Sequence, residues 1–232
     1  MTQETGGFAA FNLNPNILAA VIATGYEEPS AIQQQSIPII MAGHDMIGQA
    51  QTGTGKTAAF ALPILHCIDP AKREPQALIL APTRELALQV ATAFETYAKQ
   101  MPGVTVVAVY GGAPMGPQLK AIRNGAQIVV ATPGRLCDHL RRDEKVLSTV
   151  NHLVLDEADE MLKLGFMDDL EVIFKALPAT RQTVLFSATL PQSIRAIAER
   201  HLRDPQHVKI QTKTQTVTAI EQAHLLVHAD QK

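Results

Sequence analysis

The chain has 232 residues, a formal net charge of −2 and a hydrophobic fraction of 46%. This length suits one large α/β domain or two small ones, and the composition supplies enough apolar side chains for a sizeable core. The near-neutral charge excludes a broad basic face, so any nucleic-acid binding has to come from a local site. No apolar run approaches the roughly 18 residues that cross a bilayer, and the polar start of the chain lacks the apolar core of a signal peptide. We therefore expect a cytoplasmic protein without membrane contact.

The two cysteines, Cys67 and Cys137, each lie in a predicted helix, and neither belongs to a cluster with metal-ligand spacing. Buried free thiols in a reducing compartment are expected rather than a disulfide.

The predicted elements begin after a short polar segment. Residues 1–7 are expected to form a disordered tail. Apolar residues at helical spacing predict a helix over 14–24 that ends at Gly25, and Pro29 and Ser30 start a second helix that continues to residue 41. From residue 46 onward, apolar runs typical of strands alternate with helical patterns. The predicted strands span residues 46–50, 77–81, 104–110, 127–131, 152–156, 183–187 and 207–210. The helices between them span residues 55–68, 84–100, 114–123, 134–143, 159–177 with a break near Gly165, and 191–201.

This alternation predicts an α/β fold with a mostly parallel sheet and helices on both of its faces. Strands such as 77–81 and 152–156 are apolar without alternation, which is typical of parallel strands that are buried on both faces. Ligands of such sheets bind at the carboxyl ends of the strands. Residues 211–232 begin with a polar stretch and are weakly patterned, so they are interpreted as a linker that leads out of the domain.

A phosphate-binding loop is predicted between the first strand and the helix that follows it. Glycines there let backbone N–H groups turn inward around phosphate oxygens, and the helix N-terminus adds partial positive charge. Lys56 can reach the β- and γ-phosphates of a nucleotide, and the Thr57 hydroxyl can hold Mg²⁺. A glycine-rich turn before a helix can arise by chance, and Ala50 stands where the general pattern has glycine. The remaining loop residues are Gln51, Thr52, Gly53, Thr54 and Gly55.

Two further strand ends carry polar side chains. Asp156 follows an apolar strand and can hold Mg²⁺ through water, and Glu157 can orient and deprotonate an attacking water. The alternative is an ordinary acidic helix N-terminus. Ser187 and Thr189 end another strand, where their hydroxyls can bond a carboxylate such as Asp159, or can simply cap the next helix.

Jointly, and in this order along residues 8–190, these motifs resemble those of the DEAD-box RNA helicases. The residues that carry the resemblance are the isolated Phe8, the segment from Gly25 to Gln33, the phosphate loop, Pro82-Thr83-Arg84, Gly111-Gly112, Thr132-Pro133-Gly134-Arg135, Asp156-Glu157-Ala158-Asp159 and Ser187-Ala188-Thr189. The sequence around residues 80–82 and 156–166 is most similar to that of bacterial members, including those linked to cold adaptation and ribosome assembly.

The resemblance implies a RecA-like domain over residues 8–210 that binds ATP and Mg²⁺, with Lys56, Asp156 and Glu157 as catalytic residues. Gln33 would pair with adenine, whose N6 and N7 suit an amide, and Tyr26 would stack on the base together with the upstream Phe8. The RNA contacts would come from Pro82 to Arg84, Gly111 and Gly112, and Thr132 to Arg135, with Arg123 and Gln118 as further candidates. Helix ends and free N–H groups at these positions recognise phosphates without reading sequence.

The family's enzymes have two RecA-like domains, and the motifs here cover only the first, so the chain is expected to be part of a longer protein whose second RecA-like domain is absent. The expected activity of the whole protein is ATP-dependent RNA unwinding or RNP remodelling. Two alternatives stay open: an ATP-gated RNA clamp that does not separate strands, and a DNA-directed or otherwise different ATPase.

Overall fold

Seven parallel strands form one sheet in the computed structural model, which describes residues 6–210. The strands are β1 (Met46–Gln49), β2 (Ala77–Leu80), β3 (Val106–Val109), β4 (Ile128–Ala131), β5 (His152–Leu155), β6 (Gln182–Ser187) and β7 (Gln206–Lys209). The helices are α1 (Pro15–Ala23), α2 (Ala31–Met41), α3 (Lys56–Cys67), α4 (Arg84–Tyr97), α5 (Met115–Arg123), α6 (Pro133–Leu140), α7 (Ala158–Lys163), α8 (Met167–Ala176) and α9 (Gln192–His201), preceded by a 3-10 helix at Gly7–Phe11.

The order of the strands across the sheet is β3-β4-β2-β5-β6-β1-β7, and every neighbouring pair is parallel. Parallel neighbours need crossover connections, which the helices supply. All seven strands therefore end at the same edge of the sheet, and each loop that leaves a strand begins there.

Two apolar layers cover the two faces of the sheet. Along β2, Ala77 and Ile79 pack into one layer, whereas Leu78 and Leu80 pack into the other. Successive side chains of a strand point to opposite faces, so a strand that is covered on both sides has to be apolar throughout. The first layer includes residues from α1 to α4, and the second includes residues from α6 to α9.

The predicted α/β fold is confirmed, and each predicted strand is present with ends that move by at most two residues. The predicted break near Gly165 is also present, because this glycine has a φ of +83° and separates α7 from α8. Of the predicted tail, residues 1–5 lie outside the described part of the chain, and Gly7 belongs to the 3-10 helix. The predicted linker, residues 211–232, also lies outside it.

One expectation about the cysteines is wrong. Cys137 is buried, but Cys67 is exposed because it is the last residue of α3 and faces away from the core. Both are free thiols. None of the helices within residues 6–210 is long and apolar enough to cross a membrane, and the expected cytoplasmic location stays a prediction.

Candidate nucleotide site and nucleic-acid surface

Three neighbouring strands, β5, β6 and β1, carry the predicted nucleotide-binding residues at their carboxyl ends. Leu155 of β5 pairs with Leu185 of β6, and Ser187 at the end of β6 pairs with Gln49 at the end of β1. The phosphate loop, the acidic motif and the Ser187–Thr189 segment therefore leave the sheet side by side. The sequence predicted each motif separately, and the strand order brings the three together.

The phosphate loop turns sharply into α3 through two glycines with positive φ. Gly53 has a φ of +81° and Gly55 a φ of +91°, values that L side chains rarely adopt. A Cβ on Gly55 would also lie 2.5 Å from Nε2 of Gln33, so space and backbone conformation both require glycine there. Helix α3 begins at the next residue, and its free N–H groups face the loop.

Gln33 is buried against the phosphate loop and bonds it directly. Its Nε2 donates to the carbonyl oxygen of Gly55 at 3.1 Å, while its Oε1 accepts from the backbone N–H of Ser30 at 2.8 Å. The Ser30 hydroxyl donates to the carbonyl oxygen of Thr54 at 2.8 Å. The role of Ser30 was missed at the sequence level, although the spacing Ser30-x-x-Gln33 matches the capping-box pattern that could have indicated it. Helix α2 is thus fastened to the loop at two points.

The ammonium group of Lys56 is buried at the centre of the site. Its Nζ lies 4.0 Å from Oδ1 of Asp156 and 3.9 Å from Oε1 of Glu157, and it has no hydrogen-bond partner within the described residues. Oδ1 of Asp156 is likewise buried without a partner in that part of the chain. Buried charged groups are normally hydrogen-bonded, so two orphaned groups of opposite sign point to ligands that complete them.

The pKa of Asp156 is raised to about 6, chiefly by burial; the charge of Lys56 acts to lower this pKa, and the neighbouring Glu157 acts to raise it. Glu157 itself has a φ of +54°, in the left-handed region that is unusual for a side chain of this size. Such backbone strain occurs preferentially at functional sites, where the surrounding structure holds it. Here the strained residue is Glu157, whose Oε1 lies 3.9 Å from Nζ of Lys56.

The residues of this site fit a nucleoside triphosphate with Mg²⁺. The orphaned Nζ of Lys56 suits phosphate oxygens, and the orphaned Oδ1 of Asp156 suits a hydrated Mg²⁺, which needs few protein ligands. Thr57 follows Lys56 in the first turn of α3, and its hydroxyl stays a predicted ligand of the same ion. Within residues 6–210, no group of three or more His, Cys, Asp or Glu side chains forms a metal cluster, and a site that shares its ion with phosphates does not require one.

Asp159 joins the acidic motif to the end of β6. Its Oδ2 accepts from the Thr189 hydroxyl at 2.7 Å and from the Thr189 N–H at 3.2 Å, as expected of a carboxylate facing this strand end. Burial raises the pKa of Asp159, but the hydrogen bonds from Thr189 and the Ala188 N–H outweigh it, so the pKa lies below its usual value. Ser187 behaves differently, because its hydroxyl donates to the Thr189 carbonyl oxygen at 2.6 Å.

The two predicted base-stacking aromatics contact one another. The rings of Phe8 and Tyr26 stack with centroids 5.8 Å apart and an angle of 17°, and Phe8 is buried while Tyr26 is exposed. The hydroxyl of Tyr26 lies 3.1 Å from that of Tyr97 on α4, a partner for which the sequence offers no signal. One face of the Tyr26 ring is therefore already covered by Phe8.

The predicted RNA-contacting residues follow β2, β4 and β3, a second group of three adjacent strands at the same edge. Leu80, Ala131 and Val109 lie in register across these strands, so the three loops begin side by side. The residues that these loops expose are Thr83, Arg84, Gly111 and Gly112, whereas Pro82, Thr132 and Pro133 are buried and Gly134 is half-buried. The exposed residues form the surface, and the buried ones support it from below. The Thr83 hydroxyl accepts a hydrogen bond from the N–H of Leu86 and so caps the helix that begins there.

Two arginines of this surface have different environments. Arg84 is exposed and lies over the ring of Tyr110, 4.8 Å from its centroid. Arg135 is half-buried, and its Nη1 donates to the carbonyl oxygen of Ala113 at 2.7 Å. Arg135 therefore holds the loop after β3 in place in addition to adding charge.

Gln118 does not extend the surface as suggested, because it is buried beneath this loop. Its Nε2 donates to the carbonyl oxygen of Tyr110 at 3.1 Å, and its Oε1 lies 3.2 Å from Nε2 of His139. Arg123 is exposed and bonds the Asp143 carboxylate at 2.9 Å. Tyr110, Gln118 and His139 are supporting residues that the motifs alone did not identify.

The comparisons with known proteins agree with this arrangement. The sequence model described as DEAD/DEAH box helicase matches residues 30–197. Similar curated proteins include the ATP-dependent RNA helicase DeaD of Klebsiella pneumoniae, which is 52% identical over 232 residues, or 100% of this chain and 36% of that protein. The protein of the same name from Haemophilus influenzae is 51% identical over 216 residues, or 93% of this chain and 35% of that protein.

Among solved structures, a DEAD box protein from the hyperthermophile Methanococcus jannaschii superimposes with a TM-score of 0.85 at 40% sequence identity, covering 89% of this chain and 56% of that one. The chain spans about a third of the length of the curated relatives it matches. The expected similarity to bacterial members is confirmed, while the link to cold adaptation stays a prediction. With a family model matching well over half of its residues, the chain belongs to the DEAD/DEAH box helicase family.

Proposed function

We propose that this chain is the first RecA-like domain of an ATP-dependent RNA helicase, which binds ATP and Mg²⁺ at one half of the sheet edge and the RNA backbone at the other. The observation that carries the proposal is the pair of orphaned groups, Lys56 Nζ and Asp156 Oδ1, beside strand ends whose loops expose backbone N–H groups and Arg84. The names of the bacterial relatives, ATP-dependent RNA helicase DeaD, support the same activity.

On the nucleotide side, each residue has a separate task. Lys56 neutralises the β- and γ-phosphates, and the N–H groups from Gly53 to Thr57 surround them. Thr57 and Asp156 would hold Mg²⁺, which, when bound, neutralises charge that develops on the phosphate oxygens. Glu157, whose Oε1 lies 3.9 Å from Nζ of Lys56, would orient and deprotonate the attacking water.

Adenine recognition is proposed for Gln33, supported by Tyr26 and Phe8. The Gln33 amide uses one N–H and one lone pair on the protein, which leaves a second N–H and a second lone pair. These can pair with N7 and N6 of adenine, whereas guanine presents an acceptor where adenine presents its N6 donor. Because the Gln33 side chain also bonds Gly55, this one residue would contact both the base and the phosphate loop.

The test is nucleotide binding by this chain with Mg²⁺, comparing ADP and GDP in the wild type and in Gln33→Ala. We expect the wild type to prefer ADP and the variant to lose that preference, by about tenfold if one good pair of hydrogen bonds is lost. Gln35→Ala is the matched control, because Gln35 is an exposed glutamine of the same helix. Equal binding of ADP and GDP by the wild type would contradict the adenine role of Gln33.

On the RNA side, the exposed Thr83, Arg84, Gly111 and Gly112 would contact phosphates, with Gly134 and Arg135 beside them. Contacts to the backbone do not read sequence, which agrees with a chain of net charge −2 that uses loop amides and helix ends in place of a basic face. Pro82, Thr132 and Pro133 are proposed to shape this surface. Asp159, Ser187 and Thr189 are proposed to couple the nucleotide state to neighbouring structure, which is supported by the hydrogen bond from the Thr189 hydroxyl to Asp159 that joins the acidic motif to the end of β6.

Two other functions are separated from this one by direct experiments on the whole protein. An ATP-gated clamp would close on RNA without separating strands, so an unwinding assay distinguishes it. A DNA-directed ATPase would bind DNA at least as tightly as RNA of matched length. Competition between the two for binding decides this, since only the 2′-OH distinguishes them at a given site.

A further inference from the structure

A groove lined by three arginines runs along α6, beside the loop that follows β3. Its volume is ≈ 320 Å³, and we name it the arginine groove. Its lining residues are Met115, Arg135, Asp138, Arg141 and Arg142. Arg135 belongs to the predicted RNA contacts, whereas Arg141 and Arg142 belong to none of the motifs. The groove therefore begins at the proposed RNA surface and leads away from it.

The arginine groove carries a net positive charge. Asp138 is its one acidic residue, and this carboxylate contacts Arg141 at 2.7 Å and Arg135 at 3.8 Å. Arg142 is exposed and makes no ion pair within residues 6–210. Three guanidinium groups against one carboxylate leave positive charge available in a chain whose overall charge is −2. Charge that a protein concentrates locally against its overall balance favours a ligand of opposite sign.

The charged residues of the groove lie on one side of α6 and of the turn that follows it. Arg135, Asp138 and Arg142 follow one another at spacings of three and four residues, which places them on one face of the helix. The N–H of Arg142 donates to the carbonyl oxygen of His139, so the helical turn continues to this residue. Helical side chains lean toward the N-terminus of their helix, and α6 begins at the end of β4.

We propose that the arginine groove binds phosphate groups of the RNA backbone that lie beyond those held at the strand ends, so that the RNA-contacting surface of this chain continues along α6. The inference rests on the proposed function and extends it. Guanidinium groups match pairs of phosphate oxygens, and Met115 offers an apolar wall to a ribose. Contacts to phosphate groups carry no sequence information, so we expect the contribution of the groove to be independent of sequence.

The first experiment measures the affinity of this chain for a labelled oligouridine by fluorescence anisotropy over a series of salt concentrations. The variant is Arg141→Gln/Arg142→Gln. Its control is Lys99→Gln/Lys175→Gln, which removes the same charge from exposed positions near the C-terminal ends of α4 and α8, far from the carboxyl ends of the strands. Circular dichroism establishes that each variant is folded.

We expect the groove variant to bind several-fold more weakly and the control to bind as the wild type does. The slope of log affinity against log salt concentration should become shallower by about 0.7 for each phosphate of the single strand that the variant no longer neutralises. Equal changes in the groove variant and the control would overturn the proposal, because overall charge would then explain both. Unchanged binding by the groove variant would overturn it as well.

The second experiment tests for an increase in RNA affinity. Asp138→Asn removes the one acidic group of the arginine groove, and we expect several-fold tighter binding of oligouridine with a steeper salt dependence. Glu95→Gln, an exposed position on α4, is the matched control and should change neither. An unfolded variant cannot bind more tightly, so this outcome does not depend on the tolerance of α6 to substitution. Unchanged or weaker binding by Asp138→Asn would contradict the proposal.

Inorganic phosphate is another ligand with the chemistry that the arginine groove would recognise. Titration with inorganic phosphate at constant ionic strength distinguishes a free-anion site from an RNA site. Thermal stabilisation by phosphate that disappears in Arg141→Gln/Arg142→Gln, together with unchanged oligouridine affinity, would show a free-anion site and overturn the RNA assignment. Absence of oligouridine binding by the wild type would overturn the RNA half of the proposed function as well. Oligouridine binding that the groove variant leaves intact would overturn the groove alone.

Discussion

At the scale of single residues, the candidate nucleotide site contains buried charged groups that lack hydrogen-bond partners within residues 6–210. Asp156 is buried, its Oδ1 has no hydrogen-bond partner within the described residues, and Lys56 stays 4.0 Å away. A carboxylate in such a place favours its protonated form, which is why its pKa rises to about 6. Without a bound metal ion, ionisation of Asp156 is therefore less favourable in the folded chain than in the unfolded chain.

The corresponding prediction concerns Asp156→Asn without nucleotide and in the presence of EDTA. The folded-state pKa of about 6 exceeds the ordinary value of 3.8, so the wild type loses stability as pH rises from about 4 to about 6 and stays at this lower level above. We expect Asp156→Asn to be more stable than the wild type above pH 6, by up to about 3 kcal/mol, and this gain to shrink toward pH 4. Urea unfolding at several pH values measures it.

Asp168→Asn, an exposed position on α8, is the control for that experiment and should give no comparable gain. A loss of stability in Asp156→Asn at every pH would mean that the attraction between Asp156 and Lys56 exceeds the cost of burying the charge, contrary to the direction of the pKa shift.

At the scale of elements, the nucleotide site depends on how closely β1 and β6 approach one another. Gly48 of β1 pairs with Phe186 of β6, and a Cβ on Gly48 would lie 2.5 Å from two carbon atoms of the Phe186 ring. Phe186 is fully buried and has no room to turn away. The glycine thus lets a large aromatic side chain fill the core directly beneath the phosphate loop.

We therefore expect Gly48→Ala to lower the free energy of unfolding by about 1–3 kcal/mol through overpacking. Gly116→Ala is the control, because a Cβ there meets no atom within 4 Å, and it should leave stability unchanged or slightly raised. Adding Phe186→Leu to Gly48→Ala should recover part of the loss if the ring is the obstacle. Strictly additive effects in the double variant, measured by urea unfolding, would argue against this contact as the cause.

At the scale of the whole molecule, one edge of one sheet serves two purposes. The strands β5, β6 and β1 present the proposed nucleotide site, and β3, β4 and β2 present the proposed RNA surface. Asp159 and Thr189 tie the acidic motif to the end of β6, and β5 and β2 are neighbours, so the two halves are in direct contact. We propose that a nucleotide that moves the acidic motif alters the RNA surface through the contact between β5 and β2.

We propose that in the whole protein a second RecA-like domain closes on this one and supplies arginine fingers. This chain alone should therefore bind ATP yet hydrolyse it slowly. An arginine finger contributes about 10³- to 10⁵-fold in rate in other NTPases, so addition of RNA should stimulate this chain little. A phosphate-release assay with and without RNA measures both rates, and Lys56→Ala sets the background. Strong RNA-stimulated hydrolysis by this chain would contradict the proposal.

The motif residues and the secondary structure could be predicted because their signals are local. Each apolar strand and the phosphate loop occupy only a few consecutive residues, and the helix break at Gly165 depends on one positive φ. Cys67 was placed wrongly because the burial of a residue at the end of a helix depends on what packs beside it. The same limit applies to Gln118, whose burial depends on a loop and a helix that are distant in sequence.

By itself the sequence determined the α/β fold, the two apolar faces of its strands and the residue types that chemistry needs at each strand end. Only the tertiary structure decided which strand ends are neighbours, because strand order is set by packing between segments far apart along the chain. That order leaves Lys56 and Asp156 as a buried, incompletely bonded pair, fastens Gln33 to Gly55, and aligns Arg135, Arg141 and Arg142 along one groove. Distances, burial and the pKa of Asp156 follow from those neighbours, which no local pattern contains.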